Sequence, residues 1–172
     1  MKIIQATNLQ VPIIRDLAFK IWPSAYGKIL SKDQMTFMLD KFYSLEALNE
    51  QLEKHKHVFL LIENEEKVVG FASYELNILH KNSKQIQTKK TKIHKIYILP
   101  ETQGNGFGNQ LINEIEKIAQ ASNNKLLFLN VNRFNKAQYF YKRLGFEITE
   151  KVDIEIGNGY LMEDFIMEKK IC

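Results

Sequence analysis

The segment that most limits what this chain can fold into is Ile96-Tyr97-Ile98-Leu99-Pro100-Glu101-Thr102-Gln103-Gly104-Asn105-Gly106-Phe107-Gly108. A β-prone run ends at a proline and passes into a glycine-rich turn. The spacing of Leu111, Ile112, Ile115, Ile118 and Ala119 then marks a helix over Asn109 to Ala121 that this turn opens. Unpaired backbone N–H groups and the positive end of the helix dipole meet there, which suits a phosphate. Glycines let the main chain approach such a ligand and adopt positive φ. The spacing disfavours two phosphate ligands. A dinucleotide fingerprint needs its third glycine where Asn109 stands, and Asn123, Asn124 and Lys125 occupy the place of its acidic ribose ligand. The Gly-Lys-Ser/Thr ending of a P-loop is missing.

The surrounding pattern supplies the rest of the fold. Lys2 to Ala6 reads as a strand, and Asn8 to Trp22 as a helix capped by Asn8 and broken by Pro23. Ser31-Lys32-Asp33-Gln34 is a capping box opening a further helical stretch, with a weak break near Ser44. Strands are expected over His57 to Glu63, Lys67 to Leu76 and Lys89 to Leu99, the first two joined by the turn Asn64-Glu65-Glu66. The apolar run Lys125 to Val131 reads as a strand buried on both faces. A helix over Asn135 to Leu144 stops at Gly145, and the last two strands flank the hairpin turn Gly157-Asn158-Gly159. The order β-α-α-β-β-β-α-β-α-β-β predicts an α+β fold, a mixed, mostly antiparallel sheet with helices on both faces. At 172 residues the chain is expected to be one domain, residues 1–172.

Composition narrows the partners. No apolar stretch is long enough to span a bilayer, and the apolar run at the start is too short for a secretory signal, so a cytoplasmic protein is expected. The single cysteine, Cys172, offers no disulfide, no metal site and no base-paired nucleophile. The net charge is +4, and one basic cluster stands out: Lys81, Lys84, Lys89, Lys90, Lys92 and Lys95. Without a nucleic-acid module beside them, these lysines read as a solvated loop and an exposed strand edge, not a nucleic-acid surface.

A second motif follows the glycine turn after one helix and one strand. Gln103-x-x-Gly106-x-Gly108 resembles the CoA-pyrophosphate loop of the GNAT superfamily of N-acyltransferases. Asn135, Ala137, Phe140, Tyr141, Gly145 and Phe146 resemble that family's Asn followed by A-x-x-F-Y-x-x-x-G-F. The resemblance covers most of the chain and implies a GNAT-like domain with strands splayed at an acetyl-CoA cleft. It also implies that Gln103, Gly104, Asn105, Gly106, Phe107, Gly108 and Asn109 hold the pyrophosphate. Tyr97 and Ile98 would pair with the pantetheine arm, Asn135 would bond it from the other side, and Lys142 is a candidate for a CoA phosphate. Tyr141 would be the general acid for the departing thiolate.

Many members carry a Glu in the stretch matched here by Lys92 to His94, which makes His94 the candidate base. The run Ile21-Trp22-Pro23-Ser24-Ala25-Tyr26, with Tyr43-Ser44-Leu45, is similar to the PaiA-type branch that includes spermidine/spermine N-acetyltransferases. That likeness implies a polyamine or similar small amine as acceptor, met by Trp22, Tyr26 and Glu75, with acetyl-CoA as co-substrate and no metal. Protein or peptide N-acetylation, or CoA binding without turnover, are the alternatives. An exposed edge of the last hairpin could support a homodimer.

Overall fold

The computed structural model describes residues 1–81 and 87–171. β1 (Lys2–Gln5) leads to a short 3-10 turn over Asn8–Gln10. Its cap is Thr7, not Asn8: the Thr7 side chain accepts from Leu9 N, and Gln10 Oε1 accepts from Thr7 N. α1 (Val11–Tyr26) then runs straight through Pro23, which the sequence reading takes as a breaker. Proline falls within α1's final turn, where its missing N–H removes one bond but its carbonyl still accepts from Gly27 N at 3.0 Å. α2 (Lys32–Tyr43) and α3 (Leu45–Glu53) are separated by extended Ser44. Ser31 and Ser44 accept from Gln34 N and Ala47 N, each three residues on, so both helix starts are written locally.

The strands are β2 (Val58–Asn64), β3 (Lys67–Lys81), β4 (Gln87–Ile98), β5 (Leu126–Asn132), β6 (Glu147–Gly157) and β7 (Tyr160–Lys170). A 3-10 turn, Pro100–Thr102, precedes α4 (Phe107–Ala121), and α5 (Ala137–Arg143) follows β5. The strands hydrogen-bond in the order β1-β2-β3-β4-β5-β7-β6. The β4–β5 pair is parallel and the β1–β2, β2–β3, β5–β7 and β6–β7 pairs are antiparallel, giving the mostly antiparallel open sheet expected. Positive φ at Glu65 and Glu66 makes the β2–β3 turn, and at Gly157, Asn158 and Gly159 the β6–β7 turn. No helix among the described residues is long and apolar enough to cross a membrane.

Two compact units emerge, one of Met1–Tyr74 with Lys95–Ile112, the other of Glu75–His94 with Asn113–Cys172. In the first, Trp22, Tyr43 and Phe71 are buried, and rings of Trp22, Tyr26, Tyr43, Phe71 and Tyr97 pack at centroid distances of 4.6 to 6.3 Å. In the second, Leu127, Leu129 and Val131 of β5 are buried while Leu126, Phe128 and Asn130 are half-buried, so β5 buries one face and not both. Asn124 ties this unit together. Its Oδ1 accepts from Thr91 Oγ1 and from the N–H of Asn77, both at 3.0 Å, and its Nδ2 donates to Asn77 Oδ1 and Ser122 O.

The lysine run departs from the sequence reading. β4 is an interior strand between β3 and β5, so its lysines do not line an edge. Lys90 and Lys95 are only 8% and 9% exposed; Lys84 lies outside the described residues. Lys90 donates to Glu168 at 2.6 Å. Lys95 lies 5.5 Å from the ring centroids of both Tyr43 and Phe59 and donates to Gln51 Oε1, whose Nε2 donates to Phe42 O.

Two expectations follow. Gln51→Ala removes the acceptor from a buried ammonium and the donor from Phe42 O, and should lower stability by about 1–3 kcal/mol in chemical denaturation. Lys95→Met keeps the volume without the charge and should cost less, under about 1.5 kcal/mol. The second concerns pH. Burial raises the Tyr43 and Tyr97 phenols well above the ordinary tyrosine value, with their mutual hydrogen bond opposing the rise at Tyr43. The unfolded chain releases these protons near pH ~10, whereas the fold retains them, so stability is full below that pH and lost above it. Thermal melting across about pH 9 to 11 should show a steep decline in the wild type and a shallower one in Tyr43→Phe.

Candidate active site

The glycine turn is built by its own sequence. Gly104 and Gly106 adopt φ of +87° and +80°, a region in which L side chains are strained. A Cβ at either would meet nothing within 4 Å, so this backbone is open to whatever binds there. Three local bonds brace it: Gln103 Nε2 donates to Ile98 O at 3.1 Å, Asn105 Nδ2 to Thr102 O at 3.0 Å, and Gln110 N to Gly106 O at 3.1 Å. The first turn of α4 carries no acidic residue, which leaves its N-terminal N–H groups and dipole to an anion. Phe107 is buried and anchors the helix start; Gly108 is half-buried and Asn109 exposed.

The strand feeding this turn is held from one side. Leu99 N donates to Val69 O at 2.9 Å, and the Tyr97 hydroxyl lies 3.1 Å from that of Tyr26. Tyr97 and Ile98 therefore belong to the same unit as the glycine turn and sit directly before it. Trp22 is 3% exposed and Tyr26 half-buried, both within the aromatic cluster.

In the other unit, Tyr141 of α5 is 8% exposed, its ring edge-on to Phe140 and to Phe146 at 5.3 and 5.9 Å. Its carbonyl accepts from Phe146 N at 3.1 Å, which, with positive φ at Gly145, closes the helix. Asn135 spends its side-chain oxygen on Ala137 N at 2.8 Å, so it shapes the start of α5. Lys142 is exposed.

The same unit carries a polar group that runs across β3, β4, β5 and β7. His94 Nε2 lies 3.3 Å from Glu75 Oε2, both half-buried. Lys92, half-buried with Nζ 5.8 Å from the Phe128 ring centroid, has no hydrogen-bond or ion-pair partner among the described residues. Burial lowers its ammonium, against the raising pull of Glu75 and Asp164. Asp164 is 5% exposed; burial raises its carboxyl, opposed by a 3.4 Å bond from Asn130 Nδ2 and by the charges of Arg133 and Lys92. Arg133 meanwhile bonds Asp153 and Glu163 at 2.6 and 2.9 Å, so those carboxylates are already engaged. The sequence reading includes Glu75 and His94 as separate candidates but not their contact, and omits Lys92 and Asn130. Non-local strand pairing brings these residues together, and no spacing signal announces it.

The first unit offers an anion seat at a helix start, and the second a buried phenol and a carboxylate–imidazole pair. An acetyltransferase (GNAT) domain model matches residues 28–167. An uncharacterised N-acetyltransferase of Methanocaldococcus jannaschii is 36% identical over 95 residues, 55% of this chain and 41% of that protein; the match thus spans about two fifths of the relative's own length. Among solved structures, the PaiA N-acetyltransferase of Thermoplasma acidophilum in complex with coenzyme A superposes with a TM-score of 0.75 at 25% identity, covering 99% of both chains. A GCN5-related N-acetyltransferase structure from Rhodopseudomonas palustris gives 0.77 at 19% identity over 98% of this chain and 94% of that one, a likeness of fold. With the domain match covering most of its length, the chain belongs to the GNAT acetyltransferase family, acyl-CoA-dependent enzymes that take acetyl-CoA as co-substrate.

Proposed function

We propose that this chain transfers the acetyl group of acetyl-CoA to a primary amine by direct attack in a ternary complex. The observation that carries the reading is the glycine turn: two positive-φ glycines in open space at a helix start free of acidic residues, as a pyrophosphate requires. Gln103 to Asn109 seat the pyrophosphate, the backbone of Tyr97 and Ile98 pairs with the pantetheine arm, and Asn135 and Lys142 add polar contacts. The neutral amine attacks the thioester carbon, and a backbone N–H near Ile98 stabilises the oxyanion. The C–S bond breaks as Tyr141 protonates the sulfur. His94, held by Glu75, takes the amine proton.

A polyamine of the spermidine and spermine kind is the acceptor that the PaiA likeness puts forward. Glu75 and Asp164 supply carboxylates for a cation, and half-buried Tyr26 supplies an aromatic face with buried Trp22 packed behind it. One observation favours a second reading. Lys92 places an ammonium without a hydrogen-bond or ion-pair partner among the described residues beside those carboxylates, which opposes a bare polycation and suits an amine with an oxygen-bearing neighbour, such as a peptide N-terminus. CoA binding without turnover is the remaining alternative.

Thiol release from acetyl-CoA over a panel of spermidine, spermine, amino acids and short peptides separates these readings. Tyr141→Phe should lower kcat about 100-fold while acetyl-CoA still binds; unchanged turnover would remove Tyr141 from the mechanism. His94→Ala should lower kcat/KM by a similar order, about 100-fold, and Glu75→Gln less, about tenfold. Combined, the last two should fall well short of additivity, because Glu75 acts through His94. Full additivity would instead make Glu75 an independent anchor for the acceptor.

A further inference from the structure

Gly70 of β3 lies against the backbone of another strand with no room for a side chain. A methyl group there would lie 2.5 Å from the carbonyl oxygen of Tyr97, 2.5 Å from Ile98 Cδ1 and 3.2 Å from Ile98 Cα. The first distance decides the matter: a flexible side-chain tip can swing away, but a main-chain carbonyl moves only with its strand. Glycine inside a strand marks such a close approach of another backbone. Gly70 does not need positive φ, so close packing alone calls for glycine.

The neighbours of Gly70 grip the same two residues. Val69 O accepts from Leu99 N at 2.9 Å, and the Phe71 ring packs 5.6 Å from that of Tyr97. On the other side of β3, Gly70 stands opposite Ile62, beside the register shift of β2 at Ile62 and Glu63. Three consecutive residues thus hold the end of β4 by a hydrogen bond, a bare backbone contact and a ring.

We infer that Gly70 is a positioning residue for acetyl-CoA: its missing side chain sets where the Tyr97–Ile98 backbone lies, and with it the affinity of the acetyl donor. The inference rests on the reading of that backbone as the pantetheine-pairing edge. Any side chain at residue 70 displaces the Tyr97 carbonyl and so misaligns the strand's donors and acceptors, although residue 70 itself touches no ligand.

Calorimetric titration of the whole chain with acetyl-CoA, alongside thermal melting, tests this. Gly70→Ala should weaken binding about tenfold in a chain that still melts cooperatively. A double-mutant cycle with Ile98→Val, which removes the Ile98 Cδ1 contact, should leave that loss in place, since the carbonyl contact remains. Full recovery in the double variant would overturn the inference, as the clash would then lie with a side chain. A folded Gly70→Ala chain of lower melting temperature but unchanged affinity would overturn it too. Should Gly70→Ala not fold, hydrogen exchange of the wild type decides. The Leu99 amide should be protected equally with and without acetyl-CoA; protection arising only on binding would mean that β3 does not preset this strand. Failure of the wild type to bind acetyl-CoA at all would sink both this inference and the function proposed above.

Discussion

The end of β4 has two obligations that conflict. It must be fixed well enough to place the backbone groups proposed to bind the ligand, yet some of those groups must stay out of the sheet's own ladder. The parallel pairing with β5 covers Lys90–Ile93 against Leu126–Leu129, and β4 continues to Ile98 beyond it. The remaining stretch is steadied from β3 and from the phenol cluster, through the Leu99–Val69 bond and the Tyr26–Tyr97 contact. Binding surfaces of this kind are affordable only where the supporting side is packed tightly.

The three inward lysines of β4 show how one residue type meets burial in different ways. Lys90 has a carboxylate partner. Lys95 has an amide oxygen and two aromatic faces, a softer solution that leaves its neighbours uncharged. Lys92 has only the Phe128 ring and no hydrogen-bond or ion-pair partner among the described residues, and it is the one that stands beside the carboxylate–imidazole pair. Structural lysines are satisfied internally, while an under-satisfied polar group marks a place for something external.

How much of this was legible depended on the range of the interaction. The serine caps at Ser31 and Ser44, the glycine turn and the Gly157-Asn158-Gly159 hairpin are decided within a few residues, and each can be read from the chain. Pro23 is misread because a missing N–H is tolerable when the helix has nearly ended. The one-sided burial of β5 is misread because Leu126 and Phe128 are apolar but only half-buried. The lysine run is misread because charge suggests solvent, and only strand order reveals that β4 is interior. Of the candidate site, the phosphate seat and Tyr141 lie in contiguous motifs. The contact of Glu75 with His94 and the crowding at Gly70 are products of register, which no local spacing encodes.

The two left-handed glycines have a consequence beyond the ligand proposed for them. Although local hydrogen bonds brace the turn, its positive φ is held by residues that are also the most disordered when the chain unfolds, which draws down the stability of the empty protein. A ligand that occupies the turn returns that deficit by mass action, since it binds only the folded form. The protein's resistance to unfolding is therefore tied to the supply of its donor: a chain surrounded by acetyl-CoA outlasts the same chain deprived of it, with no change in sequence.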